Sequence, residues 1–147
     1  MLPAMKIEPA QAQEGEVLAE LRVLAMRQSL EALGRFDPDR ARQRFLDKFE
    51  PESTWKISID SELVGFYVVT EGPNFLNLDH LYIHPKHQSM KIGSKVLKEI
   101  VEAGQNQGKS IKLGALKGSR SNKFYMSHNF VKIDEGEYDN YYELKHS

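Results

Sequence analysis

The chain has 147 residues, 40% of them hydrophobic, and a formal net charge of −1 at pH 7. That length and composition fit one soluble domain with a single core. The absence of cysteine excludes disulfides, thiolate metal sites and a cysteine nucleophile, and it fits a cytoplasmic protein. No apolar run approaches the ~20 residues of a membrane span, and residues 1–15 lack the basic-then-apolar order of a leader.

In chain order, Lys6 to Glu8 is a short first strand. Residues 11–33 carry helical periodicity, with Val17, Leu18, Leu21, Leu24 and Ala25 on one stripe. Gly34 ends that helix. Asp37 followed by Pro38 is an N-cap with proline at the first helical position, and the second helix runs to about Phe49, burying Ala41, Phe45 and Phe49. Trp55 to Ile59 and Leu63 to Thr70 form a hairpin about the turn Asp60 to Glu62. Gly72, Pro73 and Asn74 make a loop before a long central strand, Phe75 to Ile83. A helix follows from Ile92 to Gln107, then a strand from Ser110 to Leu116, a short helix from Ser121 to His128, and a closing hairpin of Val131 to Asp134 with Tyr141 to Lys145.

The segment LDHLYIHPKHQSMKIGSKVLKEI, Leu78 to Ile100, carries the most information. Leu78, Leu81, Tyr82 and Ile83 read as a strand that Pro85 must end, since proline has no ladder donor. A polar loop then leads into a helix with Ile92, Val96, Leu97, Ile100 and Val101 on one face. The amides of Ser89 to Ser94 fall at its start, where free N–H groups and the helix dipole favour an anion such as a pyrophosphate. Charge follows the same division: residues 86–123 hold nine Lys or Arg against two Asp or Glu, whereas residues 1–85 hold nine against fourteen. The basic block reads either as a solvated helix face or as attraction for a polyanion. Nucleic acid is not the expected partner, because the whole chain is not basic.

Two motifs carry a family resemblance. HPKHQSMKIGSKVL resembles the acyl-CoA loop of the GNAT N-acetyltransferase superfamily, Arg/Gln-x-x-Gly-x-Gly/Ala. Gln88 and Gly93 match its first and last positions, while Lys91 stands where the first glycine is usual. SNKFYMSHNF is similar to the family's late helix, Ala-x-x-Phe-Tyr-x-x-x-Gly-Phe: Phe124, Tyr125 and Phe130 match, Ser121 replaces the alanine and Asn129 the glycine. The family's asparagine seven residues before the tyrosine is Gly118 here. The element order extends the likeness over nearly the whole chain.

The resemblance implies an α/β (α+β) domain spanning 1–147, with a mixed, mostly antiparallel twisted sheet of six to seven strands and helices on both faces. It implies acetyl-CoA as co-substrate and N-acetylation of a primary amine on a small molecule or protein by direct attack, without an acyl-enzyme. The cofactor set would be the backbone of Leu81, Tyr82 and Ile83, the loop Gln88, Ser89, Met90, Lys91, Ile92, Gly93 and Ser94, and Asn122, Lys123 and Tyr125. Asn122 and Lys123 read equally as solvated capping residues. Tyr125 matches the tyrosine that protonates the CoA thiolate; its alternative is a core tyrosine.

The attacking amine must lose a proton. An amine with a pKa near 10.4 is neutral about once in 2,500 molecules at pH 7, a cost of roughly 4.6 kcal/mol. Strand alternation puts Asn77, Asp79, Leu81 and Ile83 on one face and Leu78, His80, Tyr82 and His84 on the other. Asp79 is the first candidate base and His80 the second, although Asp79 equally suits loop amides. His80, His84 and His87 would cluster only on a helix that Pro85 forbids, so no metal site is expected. Acceptor choice is expected from Gln28 to Arg40 and from Glu135 to Tyr142, with Arg35, Phe36, Tyr138 and Tyr141 as candidates or as ordinary packing. Two other readings stand beside the enzyme: a non-catalytic acyl-CoA-binding or regulatory module, motivated by Lys91 and Gly118, and an acetyltransferase directed at aminoacyl-tRNA, motivated by the basic block. The exposed closing hairpin leaves a homodimer open, and no membrane partner is expected.

Overall fold

The computed structural model describes residues 4–145, and of Ser89 and Met90 the backbone alone. Seven strands form one sheet: β1 (Met5–Pro9), β2 (Thr54–Ile59), β3 (Glu62–Glu71), β4 (Phe75–Ile83), β5 (Ser110–Leu116), β6 (Val131–Glu135) and β7 (Asp139–Leu144). Their order is β1-β2-β3-β4-β5-β7-β6. The β4–β5 pair is parallel, whereas β1–β2, β2–β3, β5–β7 and β6–β7 are antiparallel. The α-helices are α1 (Gly15–Ala32), α2 (Pro38–Asp47), α3 (Ile92–Asn106) and α4 (Ser121–Ser127). The mixed, mostly antiparallel sheet expected from the sequence is therefore present. No helix among the described residues is long and apolar enough to cross a membrane.

Local chemistry sets the element boundaries. Asp37 caps α2 by accepting a hydrogen bond from the Arg40 amide at 3.1 Å, with Pro38 at the first helical position, where a missing N–H costs nothing. Asp60 and Ser61 both have positive φ, 50° and 70°, which gives the two-residue β2–β3 turn the twist that a hairpin needs. The helix α1 departs from the expected stripe. Leu18, Ala19, Leu21, Val23 and Leu30 are buried, while Val17 and Leu24 are 49% and 46% exposed. The reason is polar: Arg22 shares the inward side, its guanidinium donating to Ala41 O and to the Tyr82 hydroxyl at 3.5 Å.

Two compact units divide the chain. One runs through Val68 and includes His80–Gly93; the other is Val69–Asp79 with Ser94 onward. The first has a core of Leu18, Ala19, Leu21, Phe45 and Phe66, with Leu46, Phe49 and Tyr82 packed against it. Phe45 meets Phe66 edge-on at 5.2 Å between ring centroids. In the second, Val96, Leu97 and Ile100 of α3 are buried, as are Ile111, Leu113 and Ala115 of β5, together with Tyr125, Phe130 and Tyr142.

Candidate active site

The chain leaves β4 at Ile83 and enters a 3-10 helix, Pro85–Met90. The sequence pattern suggests a short polar loop there, and the structure corrects this by winding it into a 3-10 helix. Pro85 suits a first helical position, and His84 Nδ1 caps the turn by accepting from the Lys86 amide at 3.1 Å. Gln88 Nε2 donates to Ile83 O at 3.1 Å, tying the 3-10 helix back to the strand end. Lys91 then turns the chain with φ 60° and ψ 20°, in the left-handed region, and α3 starts at the next residue. This is the conformation that glycine adopts without cost and that a side chain adopts at roughly 1 kcal/mol. Lys91 is exposed, and Ile92 is buried and offers only its backbone. The side chains of Ser89 and Met90, both expected at the cofactor, lie outside the described residues.

The two candidate bases on β4 have different surroundings. Asp79 is exposed. Its carboxylate accepts from the Thr70 hydroxyl at 3.3 Å and from the Asn77 amide. His80 is enclosed: its Nδ1 lies 3.0 Å from the Tyr82 hydroxyl, and its ring meets Phe45 edge-on. Burial lowers the His80 pKa from 6.5 to about 4, and the charges of Arg22 and Lys48 push in the same direction. His80 is therefore neutral near pH 7 and a weak proton acceptor. His84 and His87 meet edge-on at 6.1 Å between ring centroids, and no group of three or more His, Asp or Glu among the described residues converges on a metal position.

Asp79 opens on a pocket of about 700 Å³ in the second unit. Its walls include Phe75 and Asn77 of β4, Lys112 and Gly114 of β5, Asp139 and Tyr141 of β7, and Asp134 of β6. Strand register explains the set. Asn77 pairs with Lys112, Gly114 with Tyr141, and Asp134 with Tyr141, so one face of the four strands carries them all. Tyr141 and the span containing Asp139 were candidates from sequence. Asp134 and Lys112 were not, and the alternation that fixes Asp79 would have reached them once the pairing was known. Phe36, from the other expected acceptor region, instead packs under the Arg27 guanidinium at 5.4 Å.

The helix α4 is tied at both ends. Asn122 Nδ2 donates to Leu116 O at 2.9 Å and to Ser119 O at 3.0 Å. Its Oδ1 accepts from the Tyr142 hydroxyl at 2.8 Å and from Asn140 Nδ2 at 3.0 Å. The amide expected near CoA phosphates is thus occupied within the protein. At the other end, Ser94 Oγ lies 3.1 Å from His128 Nε2. Between these ties Tyr125 is buried, its ring beside Phe124, Phe130 and Tyr142. Asn129 takes the left-handed turn after α4 with φ 72°, as an asparagine can. Lys123 is exposed.

Among solved structures, the PaiA N-acetyltransferase of Thermoplasma acidophilum, in complex with coenzyme A, matches with a TM-score of 0.81 at 19% identity, covering 97% of this chain and 99% of that one. The ribosomal-protein-S18-alanine N-acetyltransferase of Escherichia coli matches with a TM-score of 0.74 at 12% identity, covering 98% and 95%. A GNAT-family acetyltransferase of Staphylococcus aureus Mu50 matches with a TM-score of 0.73 at 18% identity, covering 98% and 100%. These likenesses show the fold. No curated protein matches by sequence. The model of the acetyltransferase (GNAT) domain matches residues 50–132, and the chain therefore belongs to the GNAT family of acetyltransferases, whose co-substrate is acetyl-CoA.

Proposed function

We propose that the protein transfers the acetyl group of acetyl-CoA to a primary amine of a small molecule or protein by direct attack. The observation that carries this reading is the left-handed turn at Lys91. A lysine stands in the glycine position, yet the backbone keeps the path by which a strand end passes into a helix N-terminus. In this reading the first amides of α3, which a helix start leaves without intrahelical partners, donate to a pyrophosphate. The exposed ammonium of Lys91 adds a positive charge beside them.

In this reading the backbone of Leu81, Tyr82 and Ile83 holds the pantetheine arm, and its donors polarise the thioester carbonyl. The acceptor amine occupies the pocket beside Asp79. Asp79, directly or through water, removes the ammonium proton. The neutral nitrogen attacks the carbonyl carbon, a C–N bond forms and the C–S bond breaks. Tyr125 gives its phenolic proton to the departing thiolate; a phenol near pKa 10 serves a thiolate near 8.5 when held close to it. The short helix that carries Tyr125, fixed by Asn122 and by the Ser94–His128 contact, supports this role, because such transfer depends on placement.

The test is thiol release from acetyl-CoA across a panel of primary amines, in the wild type and in Tyr125→Phe. The variant is expected to lose at least about tenfold in turnover while its acetyl-CoA affinity stays within severalfold. Unchanged turnover removes Tyr125 from the mechanism, and no thiol release with any amine removes the transferase reading.

A further inference from the structure

The pocket beside Asp79 has a chemical character of its own. Its volume, about 700 Å³, suits a small molecule. Its wall is built around the Tyr141 ring, which lies between two glycines. A Cβ at Gly114 would come within 3.1 Å of that ring, and one at Gly136 within 3.3 Å. Either Cβ would make the ring give by a few tenths of an ångström, so both glycines leave room for an aromatic surface against β5. Tyr141 remains 40% exposed there, a large apolar face turned toward an open space.

Charge around this face is unbalanced. The lining holds three carboxylates, Asp79, Asp134 and Asp139, against one cation, Lys112. The Lys112 ammonium sits over the Phe75 ring at 4.6 Å. The two lysines beside the β6–β7 hairpin do not correct the balance. Lys117 and Lys132 both pair with Glu135. Glu135 is thus held by two cations, whereas Asp134 and Asp139 form no ion pair among the described residues. An aromatic face flanked by carboxylates attracts organic cations, through the ring quadrupole and through charge.

We infer that the pocket takes a linear dication: the acceptor is a primary amine on an aliphatic chain whose far end carries a second ammonium group. The inference rests on reading this pocket as the acceptor site. Asp79 on β4 and Asp139 on β7 are separated by β5 and offset along it, since Asp79 follows the Leu78–Leu113 pair and Asp139 pairs with Leu116; two strand spacings and two residue rises put them ~12 Å apart. One ammonium lies at Asp79, where its proton is removed. The methylene chain crosses the Tyr141 ring. The second ammonium stays charged between Asp139 and Asp134.

Three amines of equal length separate the terms: diaminohexane ends in a second cation, hexylamine in a methyl group, and aminohexanoate in a carboxylate. Direct binding to the protein is measured by calorimetry at low salt with CoA present, and turnover is measured separately by thiol release. Diaminohexane is expected to bind about tenfold more tightly than hexylamine, with aminohexanoate weakest and the preference shrinking as salt rises. In the double variant Asp134→Asn/Asp139→Asn the preference falls to near unity, and Tyr141→Leu weakens both amines. Equal binding of diaminohexane and hexylamine to the wild type overturns the inference, as does a preference that survives in the double variant. Selective binding without thiol release leaves the cation pocket standing and removes the transferase reading instead.

Discussion

Polar groups in two regions of this molecule are treated in opposite ways. Around His80 and around Asn122 they are closed on one another: His80 with Tyr82, Tyr82 with Arg22, and Asn122 with Tyr142, Asn140 and two backbone carbonyls. In the second unit's pocket, Asp79, Asp134 and Asp139 on three strands line open space, Asp79 while also accepting from Thr70 and Asn77. The difference teaches how to sort the polar residues of a sheet. A buried polar group must find its partner inside the protein, because leaving it unmade costs about 1–3 kcal/mol, and such a network fixes architecture. A charged group left facing a cavity keeps its capacity for a partner that comes and goes. Asp79 and His80 are adjacent in sequence and fall on opposite sides of this division, because a strand turns successive side chains to opposite faces.

The largest expected effect belongs to the closed side. His80 has a folded pKa of about 4 against 6.5 for an unperturbed histidine. Below pH 6.5 the unfolded chain takes up a proton that the folded chain refuses, so stability present above 6.5 is lost as pH falls toward 4. The loss attributable to this residue is about 3 kcal/mol. Urea unfolding across that range should show it in the wild type, and His80→Gln should flatten the slope by that amount. An equal slope in both proteins would mean that His80 is hydrated and belongs with the open groups.

Next comes Asn122→Ala, which strands the Tyr142 hydroxyl, on a residue only 2% exposed, and loosens the start of α4. A loss of about 2 kcal/mol in unfolding free energy is expected. Turnover should fall further than acetyl-CoA affinity does, because Tyr125 rides on that helix. A variant of wild-type stability would show that the network is decorative.

The smallest effect lies on the open side. Lys91→Gly and Lys91→Ala both remove the ammonium, but only glycine relieves the left-handed backbone. The glycine variant should be the more stable of the two by about 1 kcal/mol, with both weakening acetyl-CoA binding by a similar small factor. Equal stability would mean that the turn carries no strain.

Much of this fold is legible from residue patterns alone. The bounds of β4 and β5 follow from the Gly72–Asn74 loop, Pro85 and the run of apolar residues, and the start of α2 follows from Asp37 and Pro38. What misleads is a pattern that counts only apolar residues. On α1 it selects Val17 and Leu24, because a hydrophobic stripe cannot show that Arg22 is held inside by Ala41 and Tyr82. The 3-10 helix at Pro85–Met90 is hidden for a related reason: its residues are polar, and its stability comes from the His84 cap and the Gln88 tie. For the proposed site, the candidate Tyr125 and the turn before α3 are visible through motifs, and the candidate Asp79 through alternation. The pocket is not, since Asp134 and Lys112 become neighbours of Asp79 only through the pairing of β4, β5, β7 and β6.

The most direct test of this division is the pH dependence of kcat/KM for acetyl transfer in wild type, Asp79→Asn and His80→Gln. The account predicts that Asp79→Asn lowers the rate and flattens the acidic limb, while His80→Gln keeps that limb. A limb that persists in Asp79→Asn and vanishes in His80→Gln would contradict it, and would place the working base on the closed face of β4.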